Sequence, residues 1–278
     1  MEKVTDYIAL WKELVGRQGP FWNHKKRSDK NEDKWKDRAE VFDARVRERW
    51  KKPDPHREFI ISRLSSFKNP TVLDIGAGTG AWAILFSKYV LKVTAIEPSQ
   101  SMRMLLKVNL EKEGIDNVEI IDGSWPLEGM ESHDFSLASH SVYGYADLPG
   151  FINAMNSATR HTCFMLLRAP DHDGLMAKAA NHIWGQPNDS PNFQVAYNAM
   201  LQMGMFPNVL MEEKGMWPRW TNENIDEAFE RIGARFGVEM GSEHGVFLMD
   251  LLKRHLTEKN GKVQWPSEMR TALLYWNV

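Results

Sequence analysis

The stretch Thr71-Val-Leu-Asp-Ile-Gly-Ala-Gly-Thr-Gly-Ala-Trp82 constrains this chain more than any other. Val72, Leu73 and Ile75 read as a short buried strand that runs into a glycine turn and the first turn of a helix. Glycine at 76, 78 and 80 lets the backbone take positive φ and lets a ligand approach without a Cβ in the way. The helix that follows turns its free N–H groups back towards that ligand. A nucleotide-like ligand is the expected occupant.

From Thr71 onwards the pattern predicts strands at 71–75, 92–96, 118–122, 134–139 and 163–169, with helices at about 81–90, 101–113 and 148–160. Such alternation means an α/β fold: a mostly parallel, doubly wound sheet with right-handed crossovers and helices on both faces. Ligands bind such sheets at the carboxyl ends of the strands, near the switch in strand order.

Before this core, Thr5-Asp6 caps a helix bearing Tyr7, Trp11, Leu14 and Val15 that closes at Gly16. A polar run from His24 to Lys34 follows. Trp35, Ala39, Phe42, Val46 and Trp50 then recur at helical spacing, ended by Pro53, and the opposite, charge-crowded face reads as solvated. Asp54-Pro55 opens a third helix with Phe59, Ile60, Leu64 and Phe67.

After 170 the alternation stops. Helices are expected at Leu175–Trp184, Gln194–Met203, Asn222–Phe236 and His244–Thr257, with strands at Asn208–Glu213 and Arg270–Val278. The expected division is an N-terminal helical cap, 1–68, and a core, 69–278, whose helical insertion at about 171–206 sits over the ligand end.

Composition narrows the partners. A net charge of −2 gives no case for a polyanion such as nucleic acid. The single cysteine, Cys163, excludes an intrachain disulfide and supports no cysteine-based zinc site. The opening Met-Glu-Lys-Val-Thr-Asp lacks the basic-then-apolar order of a signal peptide, and no apolar run approaches the ~20 residues that span a bilayer. A cytoplasmic protein without membrane attachment is expected.

Three acids sharpen the glycine turn. Asp74 precedes the first glycine by two residues; Glu97 ends the second strand before Pro98-Ser99; Asp122 ends the third before Gly123-Ser124-Trp125. As a set these resemble the class I S-adenosylmethionine-dependent methyltransferases, with their Asp-x-Gly-x-Gly-x-Gly turn and acids ending the second and third strands. The resemblance covers about 71–170; the tail after 205 fits it loosely. It implies a Rossmann-like, seven-stranded sheet and S-adenosyl-L-methionine as cofactor.

The cofactor bears a sulfonium, an ammonium and a carboxylate but no phosphate, so an acid beside the turn suits it better than it suits a dinucleotide. The implied cofactor residues are Asp74, Gly76, Ala77, Gly78, Gly80, Glu97, Pro98, Ser99, Met102, Asp122, Gly123, Ser124, Trp125 and His140. Glu97 is placed for the two ribose hydroxyls and Asp122 for the adenine amino group, with Trp125 or Met102 flanking the ring.

In this family the residues after strand four, here Ala138-Ser-His-Ser-Val-Tyr-Gly-Tyr145, face the transferred methyl. His140 and Tyr143 are the leading catalytic candidates, His140 to accept a proton or orient the acceptor. His172, in Asp171-His-Asp-Gly174, is the second candidate base. That loop lacks spaced partner ligands, so no metal is expected. Arg168, inside an apolar strand, calls for a carboxylate from substrate or protein.

The acceptor side draws on Phe21, Trp22, Trp35, Trp184, Phe193, Tyr197, Trp217 and Trp220, which either line an aromatic pocket or fill the core. A small organic acceptor is the leading expectation. The place after strand four reads Ser139-His-Ser-Val-Tyr143, not the Asn/Asp-Pro-Pro-Tyr/Phe of DNA amino-methylating enzymes. The alternatives are a protein substrate, or a cofactor-binding regulatory protein without transfer activity.

Overall fold

The computed structural model describes residues 5–18 and 33–278. Phe21, Trp22 and the polar run from His24 up to residue 32 lie outside the described residues.

Seven strands form one sheet in the order β3-β2-β1-β4-β5-β10-β6. They are β1 (Thr71–Ile75), β2 (Lys92–Glu97), β3 (Val118–Asp122), β4 (His133–Ser139), β5 (Thr159–Pro170), β6 (Asn208–Met211) and β10 (Met269–Asn277). β1 pairs in parallel with β2 and β4, β2 with β3 and β4 with β5, while β10 runs antiparallel between β5 and β6. The chain proceeds outwards from β1 to β3, then restarts on the other side at β4. The switch in strand order therefore falls between β1 and β4. The register brings Glu97 opposite Asp122 and Ile75 opposite Ala138, so the carboxyl ends of these strands share one edge.

Each face of the sheet is covered by helices. On one face, α3 (Pro55–Leu64), α4 (Ala81–Ser87) and α5 (Gln100–Glu113) bury Ile60, Leu64, Phe86, Leu106 and Leu110 against Val72, Val93 and Leu137. On the other, α1 (Tyr7–Arg17), α6 (Leu148–Ser157) and α8 (Phe193–Gln202) bury Trp11, Met155 and Met200 against Ile75, Met165 and Trp276. Complete burial of a leucine or phenylalanine contributes about 1.5–3 kcal/mol. The tryptophan and glutamine of these outer helices also bond across them: Trp11 Nε1–H donates to Tyr145 O at 2.8 Å, and Gln202 Oε1 accepts the Tyr7 N–H at 2.8 Å.

A third core lies off the sheet. Helices α7 (Leu175–Trp184), α9 (Ile225–Phe236) and α10 (Glu243–His255) enclose Leu175, Phe229, Ile232, Leu248 and Trp265. This unit emerges from the carboxyl end of β5 and from between β6 and β10, so it stands over the ligand end. The segment 171–206 therefore divides: α7 joins the unit over the strand ends, while α8 packs on the sheet face.

A three-stranded sheet of β7 (Thr221–Asn222), β9 (Lys262–Gln264) and β8 (Thr257–Lys259) completes this unit. Its hairpin turns at Asn260-Gly261, both at positive φ (52° and 73°), the geometry that Asn-Gly favours.

The helix expected from Trp35 begins instead at Ala39, as α2 (Ala39–Trp50). The Asp33 carboxylate accepts the Trp35 N–H at 3.0 Å and the Ser101 N–H at 2.7 Å, holding the chain in a turn against the start of α5. The charged face of α2 is only partly solvated, contrary to expectation. Arg49 is 4% exposed because Asp54 (2.8 Å) and Glu212 receive its guanidinium in the interior.

Candidate active site

The glycine turn is anchored before any ligand enters. Gly76 N–H and Ala77 N–H both donate to Ile96 O, at 2.8 and 3.0 Å, tying the end of β1 to β2. Gly76, Gly78 and Gly80 all have positive φ, at 74°, 58° and 91°. A Cβ at 76 would stand 2.4 Å from Ser141 Cβ, and one at 80 would stand 2.1 Å from Leu106 Cδ1. At Gly78 the same direction is open to 3.8 Å, where Phe42 of α2 stands. Two glycines thus permit packing, and the middle one faces space.

Glu97 closes the other side of that space. Its Oε2 accepts the Gly78 N–H at 2.9 Å and its Oε1 the Ser99 N–H at 2.8 Å. Burial raises its pKa, partly offset by those two amides. Ser99 Oγ caps α5 by accepting the Met102 N–H and itself donates to Asp33 at 2.8 Å. Pro98 is exposed beside it, and Met102 is buried.

Asp74 is 1% exposed, and its Oδ2 has no hydrogen-bond partner among the described residues. Burial, then the nearby Glu97 charge, pushes its carboxyl up to about 7. Asp122 is in place at the end of β3, but its carboxylate faces outward and pairs with Arg103 at 2.6 Å. Arg103 also donates to Glu97 O at 2.8 Å, which ties the ends of β2 and β3 together. Gly123 packs on Leu127, Ser124 is exposed, and the Trp125 indole is buried in the core beside α6.

These groups fit S-adenosylmethionine. Each Glu97 oxygen accepts one amide and retains a lone pair suited to a hydroxyl of a diol. The orphaned Asp74 oxygen suits a cationic amine. The side chain that faces Gly78 is Phe42 of α2.

Past β4 the composition changes. His140, at positive φ (55°), donates its N–H to Leu166 O at 3.0 Å, which ties the end of β4 to β5. Its Nδ1 lies 2.9 Å from Tyr143 Oη, and that oxygen accepts the Arg168 N–H at 2.7 Å. The phenol hydrogen then has Nδ1 as its acceptor, which leaves the imidazole hydrogen on Nε2. Burial lowers the His140 pKa to about 4, helped by the Arg168 charge, and raises that of Tyr143 to about 12. Both are neutral at physiological pH.

The sequence-predicted set is thus split. His140, Tyr143 and Arg168 meet, and Trp217 joins them edge-on to His140 at 5.7 Å. His172 does not: its side chain is 90% exposed, with Asp173 at 3.8 Å. No group of three or more metal-ligating side chains occurs among the described residues.

Trp184 packs on Phe236, and Phe193 on Tyr197. Arg49, missed by the sequence pattern, sits against the Trp217 ring at 5.6 Å. Its charged neighbours hid it, and Glu212, its distant partner, could not be paired with it from sequence.

The fold is that of the class I S-adenosylmethionine-dependent methyltransferases. The chain belongs to the family described as Methyltransferase domain, which matches residues 42–236. It is 33% identical over 101 residues, 35% of the chain and 54% of the relative, to a Methanobrevibacter smithii protein named "Probable cobalt-precorrin-6B C(15)-methyltransferase (decarboxylating)". It is 31% identical over 90 residues to the release factor glutamine methyltransferase of Shewanella oneidensis, with 31% of each chain covered. The chain thus spans about half, or less, of the length of these relatives. Among solved structures it resembles the YcgJ protein of Bacillus subtilis, with a TM-score of 0.52 and 15% identity over 80% of this chain and 97% of that one. That likeness is one of fold.

Proposed function

We propose that the chain transfers a methyl group from S-adenosylmethionine to a small organic molecule by in-line displacement. The observation that carries the donor half is Glu97, a buried carboxylate bridging Gly78 and Ser99 at the carboxyl end of β2, the strand next to β1, where the order of the sheet switches. In this reading Glu97 takes the ribose hydroxyls, Asp74 the ammonium end, and the 76–80 turn the backbone contact. Gly123, Ser124 and Asp122 border the adenine. When bound, the cofactor supplies an electrophilic sulfonium methyl.

His140 and Tyr143 orient the acceptor rather than strip it of a proton, since a histidine held near 4 is a weak base. Holding the nucleophile in line is the main work of such a site. His172 is set aside as catalytic because it faces solvent. The part to residue 68 contributes one wall through α2, and the core from 69 the donor site.

A small acceptor is in keeping with Trp217, whose ring stands edge-on to His140 at 5.7 Å. Among the described residues no helix is long and apolar enough to cross a membrane. A cytoplasmic setting suits the single buried free thiol, Cys163.

Calorimetry with S-adenosylmethionine and S-adenosylhomocysteine tests the donor half; an absence of binding refutes it. Radiolabelled methyl transfer into cell extract, fractionated by size, tests the acceptor half. Label in the small-molecule fraction supports the reading, and label in protein replaces it with the protein-substrate alternative.

A further inference from the structure

The two edges of the seven-stranded sheet are finished differently. At one end of the order, β3 carries Glu119 and Asp122 at its exposed positions, ion-paired at 2.6 Å with Lys92 and Arg103 respectively. Charge of this kind keeps a strand edge from pairing with another chain. At the other end, β6 reads Asn208-Val-Leu-Met211, with no charged residue and no proline within it. Val209 is 40% exposed and Met211 38%. Phe206, just before the strand, is 80% exposed, more than any other large apolar side chain among the described residues.

The register fixes which backbone groups this edge offers. β6 runs antiparallel to β10, with Asn208 opposite Tyr275 and Met211 opposite Ala272. The Glu212 N–H donates to Thr271 O at 2.9 Å, so Glu212 and, by alternation, Leu210 turn their backbone groups towards β10. Val209 and Met211 turn theirs the other way, where the sheet ends. Their side chains share one face. The Leu210 side chain lies on the other, against the core that Ile60 and Leu64 of α3 complete, and His56 of α3 reaches Leu210 O at 3.1 Å.

This edge is complementary to itself. A second copy laid antiparallel about a two-fold axis at Leu210 puts Val209 opposite the partner's Met211, and Met211 opposite the partner's Val209. Both are hydrogen-bonding positions, so each pair exchanges its N–H···O=C bonds while the apolar side chains close together on one face. A charged strand would meet its own charge across such an axis, and β6 carries none. We propose that β6 pairs with β6 of a second copy of this chain, forming a homodimer in which the two seven-stranded sheets become one continuous sheet. The inference stands apart from the methyl-transfer reading.

The experiment is sedimentation equilibrium of the full chain, whose monomer is 32.1 kDa. The expected result is a mass that rises towards twice that value with concentration. Val209→Pro removes an outward N–H and no bond to β10. Val209→Lys combined with Met211→Lys brings like charges face to face at exposed positions, where the core is not disturbed. Each variant should remain monomeric where the wild type is paired, with unchanged circular dichroism. Mixing the double-lysine variant with a Val209→Glu, Met211→Glu variant should recover the dimer mass that neither gives alone.

A wild type that stays monomeric up to about 0.5 mM overturns the proposal. So does a dimer that survives both variants, since its contact then lies elsewhere on the molecule, or a mixture of the oppositely charged variants that fails to associate.

Discussion

At the ends of β1, β2 and β3 the site is largely backbone: two glycines that permit close packing, a third that leaves space, and amides held on Glu97. At the ends of β4, β5 and β6 it is side chains: His140, Tyr143, Arg168 and Arg49, brought together with Trp217. In the proposed reading the donor half spans residues 74–125, and its parts follow one another in strand order. The proposed acceptor half takes Arg49 from α2, His140 and Tyr143 from the segment after β4, Arg168 from β5 and Trp217 from the insertion after β6. A ligand that never varies can be held by a short continuous motif. One that differs between relatives is better held by side chains on separate segments that can change independently.

The largest expected effect breaks the donor half. Gly76→Ala places a Cβ 2.4 Å from Ser141 Cβ at a φ of 74°. Ser141 is held by its own bond to Ile75 O at 2.7 Å, so neither side yields cheaply. A loss of about 2–4 kcal/mol in stability is expected by denaturant titration. A loss below about 0.5 kcal/mol would mean that the turn is looser than its geometry implies.

Glu97→Gln should cost less in stability but at least tenfold in affinity for S-adenosylhomocysteine, since bonds to a charged acceptor are worth about 1.5–3 kcal/mol. Unchanged affinity by calorimetry would remove the ribose role from Glu97.

Asp74 sharpens the comparison through pH. Its folded-state value of about 7 lies above the ordinary 3.8, so the folded protein retains a proton that the unfolded chain releases. Its contribution is therefore complete below about pH 4 and is lost as pH rises to about 7, at up to about 1.4 kcal/mol per pH unit. Glu97 is raised in the same direction, so the test is a difference. Asp74→Asn should flatten the fall in stability between pH 4 and 7 relative to the wild type. An identical slope in both proteins would refute the buried proton.

The two halves also differed in legibility. The spacing of Asp74, Glu97 and Asp122 with the glycines is enough to mark the strand ends, and the alternation of strands with helices implies the mostly parallel sheet. Helix boundaries slipped where side chains compete with the backbone, as Asp33 does at Trp35. The small β7–β9–β8 sheet escaped because its strands are two or three residues long, although Asn260-Gly261 signalled its hairpin. On the acceptor side, Arg49 was read as solvated because its partner Glu212 lies 163 residues away. Sequence pattern reports the period of an element, not which distant carboxylate will meet its charge.

The smallest expected effect separates two histidines that look alike in sequence. Both follow a strand end, and both were candidate bases. His140 is packed between Tyr143 and Trp217, whereas His172 is 90% exposed with one exposed aspartate for company. A surface pair of this kind is worth about 0–1 kcal/mol. His172→Ala should therefore leave stability, S-adenosylhomocysteine affinity and methyl transfer within error of the wild type. His140→Ala should lower transfer while sparing cofactor affinity. Because His140 is already neutral above about pH 4, the wild-type rate should show no histidine step between pH 6 and 7. A loss of transfer in His172→Ala, with cofactor affinity unchanged, would restore the exposed loop to the site and move the acceptor away from the His140–Tyr143 pair.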